Sequence, residues 1–148
     1  TMAGLRFFSV YPCFGGNEEH KGEYANTVAQ FADAIANGNA PELFGDGSQT
    51  RDFTHVKDVA RACELAADHE LTGVYNVGTE EAYTFNEMVE MINDALGTDI
   101  DPEYIECPFD GYVHDTMADI SKFHEATGWE PQISFEEGVE RVCEPYDD

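Results

Sequence analysis

Basic side chains are the scarcest feature of this chain. Seven Lys and Arg stand against 31 Asp and Glu over 148 residues, for a formal net charge of −24. A surface of that sign repels nucleic acid and anionic membranes, so neither is expected as a partner. Long apolar runs are missing too, and no segment reads as a membrane span or a secretory leader. The four cysteines, Cys13, Cys63, Cys107 and Cys143, are scattered and form no C-x-x-C pair. That argues against structural zinc and for the reduced thiols of a cytoplasmic protein. Two further motifs are absent. There is no glycine-rich strand-to-helix turn of the kind that brings a pyrophosphate to a helix N-terminus. No tyrosine stands in a Tyr-x-x-x-Lys arrangement, so the pair that would deprotonate a sugar hydroxyl beside a hydride acceptor is not here.

What is present argues for a folded unit. Hydrophobic residues make up 42% of the chain, and a domain of this size can bury roughly 70% of its unfolded surface. The acids run along the whole sequence instead of forming a tail, which fits a surface adapted to high salt. At molar salt the Debye length is about 3 Å, so self-repulsion is largely screened. The chain opens Thr1-Met2 and runs almost at once into a strand, which reads as a cut rather than a natural start.

The pattern alternates strands and helices and predicts an α/β fold. Leu5–Val10 predicts one buried parallel strand, and Tyr11–Glu23, rich in Pro, Gly and Asn, a loop. Tyr24–Asn37 predicts a helix with Val28, Phe31, Ala32 and Ile35 on one face and Gly38 behind it. Short strands are expected at Glu42–Phe44 and Asp52–Val56, then a helix from Asp58 to His69 with Val59, Cys63 and Ala66 inward. Val74–Val77 predicts the next strand. Thr84 to Glu87 has capping-box form and opens a helix to Leu96. Tyr104–Glu106 reads as a strand and Cys107–Thr116 as loop. Asp119 caps a short helix closed by Gly128, and Ser134 to Glu137 forms a second capping box. Phe7, Phe8, Phe31 and Phe53 are expected in the core, and His55 is expected to be packed or hydrogen-bonded.

The most informative stretch is Leu43–Ala60. A short apolar run meets a Gly45-Asp46-Gly47 turn, then Arg51, a second strand and a helix. Such a turn can aim backbone amides, and Arg51 a guanidinium, at one phosphate or pyrophosphate. Arg51 could equally be a surface residue or a partner of Asp52 or Asp58. The two glycines could simply make a turn. Lys21, as an acid/base, would need a lowered pKa, which Glu18, Glu19 and Glu23 oppose; substrate contact and a solvated loop lysine are the alternatives.

Arg6-Phe-Phe-Ser-Val-Tyr11, Leu43–Ala60, Tyr75-Asn-Val-Gly78, Ala118-Asp119-Ile-Ser-Lys122 and Gly128-Trp129-Glu-Pro131 occur in that order. Together they resemble the C-terminal half of extended short-chain dehydrogenase/reductases acting on nucleotide-sugars, over essentially the whole chain. The resemblance implies the last parallel strands of a cofactor sheet plus a small α/β substrate-binding lobe. Residues 1–148 would be the substrate-binding portion of a nucleotide-sugar epimerase, with the N-terminal dinucleotide-binding domain absent. It implies that Ser9 touches substrate and Val10 lies near a nicotinamide. Phe44, Gly45, Asp46 and Gly47 would hold the nucleotide, and Arg51 its diphosphate. Tyr112 would meet the sugar, and Lys21 would match a second acid/base of ADP-heptose 6-epimerases. Departures are Ser9 for the usual asparagine, a longer link Pro12-Cys-Phe-Gly-Gly16, and His114 where many 4-epimerases place a second phosphate-binding arginine.

The expected partner is a nucleotide-diphosphate sugar, and the expected cofactor of an intact enzyme is NAD or NADP, with none bound by these residues alone. The first expectation is a UDP-glucose 4-epimerase-like enzyme, inactive without its N-terminal half. An ADP-heptose 6-epimerase, a sugar-nucleotide dehydratase and a non-catalytic binding module are the alternatives. An unpaired apolar strand edge predicts a homodimer.

Overall fold

Among the described residues each strand pairs with one other strand. A computed structural model describes residues 1–16 and 18–147. Three of its two-stranded sheets are parallel and one is antiparallel. Strand β1 (Ala3–Phe7) pairs with β6 (Gly73–Val77), β2 (Val10–Tyr11) with β5 (Thr54–His55), and β3 (Glu42–Phe44) with β8 (Glu103–Ile105), all parallel. The fourth pair, β4 (Thr50–Arg51) with β7 (Tyr83–Thr84), is antiparallel.

The single strand expected over Leu5–Val10 is therefore two. Ser9 has φ +29, a left-handed conformation that costs an L-residue about 1–2 kcal/mol. Its carbonyl accepts from the Thr54 amide at 3.1 Å, so the chain leaves β6 and picks up β5. Nor is β1 buried: Phe7 is 46% exposed, as is Val74 on β6. Phe8 is only half-buried, so of the four core phenylalanines expected only Phe31 and Phe53 are fully packed away. The strand expected at Asp52–Val56 is likewise shorter, with Asp52 and Phe53 linking β4 to β5.

Helices follow their caps. Helix α1 (Thr27–Ala36) starts where the Asn26 side chain accepts from the Val28 amide, and Gly38 follows it at φ +77. Residues 19–23, expected as loop, and Tyr24, expected to open the helix, instead form 3₁₀ turns kinked at Gly22. In α2 (Val56–Asp68) the N-cap is His55, whose Nδ1 accepts from the Lys57 amide at 3.1 Å. Val59 and Ala66 point inward, but Ala62 takes the place expected of Cys63, which is exposed. Helix α3 (Phe85–Leu96) has both halves of its capping box. Asp119 accepts from the Ser121 amide ahead of α4 (Ser121–Thr127). Before α5 (Phe135–Cys143), Ser134 accepts from Glu137, the forward half of the expected box.

Two apolar clusters result. One joins α1, α3 and α5 through Ile35, Phe53, Met88 and Val139; the other joins α2, β6 and α4 around Phe123 and Trp129. Phe53 stacks on Phe135 at 4.6 Å. Burial of this kind contributes roughly 1.5–3 kcal/mol per large side chain. Asp58 on α2 is fully buried. It accepts from Arg61 and from the Gln132 and Ile133 amides, while its carbonyl takes the Trp129 indole N–H.

Candidate functional site

The Gly45–Gly47 turn leaves the end of β3 and is braced from two sides. Gly45 and Gly47 have φ +64 and +74, conformations only glycine adopts cheaply. The Gly45 amide donates to Ile105 on β8, the Gly47 amide to Phe44, and the Ser48 amide to the Asp46 carboxylate. The Gly47 and Ser48 amides close the turn and the Gly45 amide ties it to β8, so all three are engaged within the protein. Ser48 also donates its hydroxyl to Asp46 at 2.5 Å. The hydroxyl and amide of Ser48 together hold the Asp46 carboxyl below the ordinary carboxylate range.

Arg51 on β4 meets the same place. Its NH1 donates to the Thr50 and His114 carbonyls and its NH2 to Val113. The guanidinium lies 5.2 Å from the Tyr112 ring centre and 5.6 Å from that of Phe85, within cation–π range. His114 reaches the turn, with Nε2 3.2 Å from Ser48 Oγ, and its Nδ1 is 2.9 Å from Asp115. Asp115 also accepts from Thr50, and the two bonds, His114 first, lower its pKa. Tyr112 and Phe109 both meet the Phe44 ring edge-on, at 5.6 and 5.9 Å. The structure thus brings Phe44, Gly45, Asp46, Gly47, Arg51 and Tyr112 to one loop, residues 107–116.

Ser9, Val10 and Lys21 belong to a different place. Val10 and Lys21 line a cleft of about 200 Å³ with Cys13, Glu18 and His20. Lys21 Nζ is 2.7 Å from Glu18, and the other Glu18 oxygen accepts from the Asn26 amide. Asn26 in turn donates its side-chain amide to the Val10 carbonyl at 2.8 Å. Burial pushes the Glu18 pKa up, but the Asn26 amide and Lys21 outweigh it and lower it overall. The Pro12–Gly16 link is docked by the Gly15 amide, which donates to Val142 at 2.8 Å.

Other candidates resolve as packing. His55 is fully buried against Tyr11 at 5.2 Å, and burial lowers its pKa. Cys143 is buried in the core and its thiol is pushed up to about 12, which makes it a poor nucleophile. No group of His, Cys, Asp and Glu suited to a metal ion occurs among the described residues. Sequence reasoning passed over Asn86 and Tyr104, which brace the glycine turn. The only local signal was Asn86's place in the first turn of a capped helix.

Comparison with known proteins gives the family. The family model described as GDP-mannose 4,6 dehydratase matches residues 7–142. A putative UDP-glucose 4-epimerase of Methanocaldococcus jannaschii is 36% identical over 138 residues, 93% of this chain and 43% of that protein. The structure of Thermotoga maritima UDP-glucose 4-epimerase with UDP-glucose is similar at a TM-score of 0.86 and 35% identity, over 96% of this chain and 44% of that one. Thermus thermophilus UDP-glucose 4-epimerase in complex with NAD gives a TM-score of 0.81 at 32% identity, over 97% and 46%. The chain spans less than half the length of these relatives. Its parallel strand pairs and small lobe match their C-terminal part. The chain belongs to the nucleotide-sugar epimerases and dehydratases of the extended short-chain dehydrogenase/reductase family.

Proposed function

We propose that this chain is the substrate-binding portion of an NAD(P)-dependent nucleotide-sugar epimerase of the UDP-glucose 4-epimerase type. The observation that carries the reading is the meeting of Arg51, Tyr112 and the Gly45–Gly47 turn at one loop. In this reading Phe44 and the turn hold the nucleotide, Arg51 its diphosphate, and Tyr112 the sugar from the same loop, while Ser9 meets the sugar from the bend between β1 and β2, so that the sugar spans the two places. A guanidinium fork matches phosphate oxygens, and charge-assisted bonds are roughly twice as strong as neutral ones. A diphosphate would therefore compete with the carbonyls of Val113 and His114 for Arg51. Lys21 is the candidate second acid/base, its Nζ on Glu18 at 2.7 Å until a substrate or cofactor displaces that contact.

NAD supplies hydride transfer where it is bound in this family. The residues here do not fit a whole dinucleotide: Val10 is the one candidate contact for the nicotinamide. No glycine-opened strand-to-helix turn for the pyrophosphate occurs among the described residues. Apart from the candidate acid/base Lys21, the contribution read for these residues is binding and orientation. Holding reactants in place can lower a barrier by ~7–11 kcal/mol.

The test is calorimetric titration of the chain with UDP-glucose, and with ADP-heptose as competitor class, in molar salt. UDP-glucose should bind, and Arg51→Ala should weaken it by at least about tenfold, the loss of one charge-assisted bond. Unchanged affinity in that variant removes Arg51 from the diphosphate site. Preference for ADP-heptose moves the reading to the 6-epimerases. Absence of binding to either leaves a module without this activity. The same proposal includes a cytoplasmic, salt-adapted homodimer. The net charge and the edge of β1 with its exposed Phe7 support it, and light scattering across a salt series tests it.

A further inference from the structure

We propose that Asn86 is a positioning residue that sets the Gly45–Gly47 turn. We further propose that the grip of this chain on a nucleoside diphosphate depends on its carboxamide; that second half rests on the function proposed above. Asn86 lies in the first turn of α3, where a backbone N–H has no partner within the helix. That N–H donates to the Gly47 carbonyl at 3.1 Å. The side-chain Nδ2 donates to the Asp46 carbonyl at 2.9 Å, and Oδ1 accepts from the Tyr104 hydroxyl at 2.8 Å. One residue therefore takes two successive carbonyls of the turn.

The backbone has two soft dihedrals per residue, so fixing two adjacent carbonyls fixes the peptide planes between them. The Asp46 carbonyl can only accept, which requires the amide nitrogen on that side and leaves Oδ1 to the phenol. Gly47 is matched to this arrangement. A Cβ there would overlap the Asn86 side-chain oxygen and press on Leu43. The turn's shape is therefore imposed from α3 and β8 as much as by its own glycines. Asn86 acts through the turn and is not itself a catalytic residue.

Three variants of the full chain test this: Asn86→Asp, Asn86→Ala and Tyr104→Phe. Asn86→Asp keeps the shape but sets an oxygen against the Asp46 carbonyl. Tyr104 is 53% exposed, so removing its hydroxyl leaves the fold intact. Hydrogen exchange over residues 44–48, without ligand, reads the positioning. Titration with UDP reads the binding, and melting temperature reads the fold. Both Asn86 variants should exchange several-fold faster in that segment and bind UDP about tenfold more weakly, as loss of a hydrogen bond near 1.4 kcal/mol gives. Their melting temperatures should fall by no more than several degrees, as the loss of a single hydrogen bond gives, and Tyr104→Phe should change exchange and UDP affinity in the same direction by less. Unchanged exchange in Asn86→Asp overturns the positioning. Equal UDP affinity in wild type and Asn86→Asp overturns the binding half while leaving the proposed function standing. A wild type that binds neither UDP nor UDP-glucose removes the proposed function, and with it the binding half, while exchange still decides the positioning.

Discussion

Asp52 and Glu18 each tie a loop to the body of this protein, and they do so at different depths. Asp52 is fully buried. It accepts from the Thr79 amide and hydroxyl, the Glu80 amide at 3.0 Å and the Ala118 amide at 3.1 Å. Its hydrogen-bond partners are backbone amides and one hydroxyl, with no cation among them. Glu18 sits near the surface, its side chain 13% exposed and that of its partner Lys21 43% exposed. In the first case water cannot replace a lost bond; in the second it can. Residues 79–80 and 118 are thus locked to the segment that follows Arg51, whereas the segment carrying Lys21 is held by a contact that a ligand or solvent can exchange. A binding surface gains from the first property, and a group that must move a proton gains from the second.

Asp52→Ala attacks the locked side and carries the largest expected effect. It leaves the buried Ala118 amide and the part-buried Thr79 and Glu80 amides without an acceptor, at a cost of about 1–3 kcal/mol for each that water does not reach. Urea unfolding should show a loss of about 3 kcal/mol or more. A loss below about 1 kcal/mol would mean that water reaches those amides, and the contrast with Glu18 would collapse.

The same contrast explains what could be read from the sequence. Helix α3 was legible because Thr84 announces its start and Gly97 its end, with apolar residues at helical spacing between; for α1 the apolar spacing and Gly38 gave the body and the end, but the start expected at Tyr24 lies at Thr27, behind the Asn26 cap. Strand β1 was misread because a run of β-forming residues shows propensity but not its neighbours. With β6 as its partner on one side, Phe7 stays exposed, and the turn to left-handed backbone at Ser9 is invisible in composition. At the candidate site, the glycines and Arg51 stood out as residue types. Their hydrogen bonds did not, because Asn86, Tyr104 and His114 lie far along the chain from the turn they brace. Cys63 was placed inward by counting along α2, and the helix is turned so that Ala62 takes that place.

Glu18→Gln attacks the exchangeable side and should cost little. An ion pair this exposed is worth about 0–1 kcal/mol, so global stability should barely move, and an effect as large as that of Asp52→Ala would erase the distinction. Its signature is local and depends on pH. The Glu18 pKa is lowered below its ordinary 4.5 in the folded chain, so the carboxylate's contribution is complete above that value. It is lost as pH falls through the folded pKa, because the protonated acid no longer holds Lys21 as a cation's partner. The amide resonance of Asn26, which donates to Glu18, should therefore titrate with a midpoint below 4.5, and the titration should vanish in Glu18→Gln. A midpoint at or above the ordinary value would mean that burial outweighs the Asn26 and Lys21 contacts. The cleft would then hold Lys21 by something other than this carboxylate.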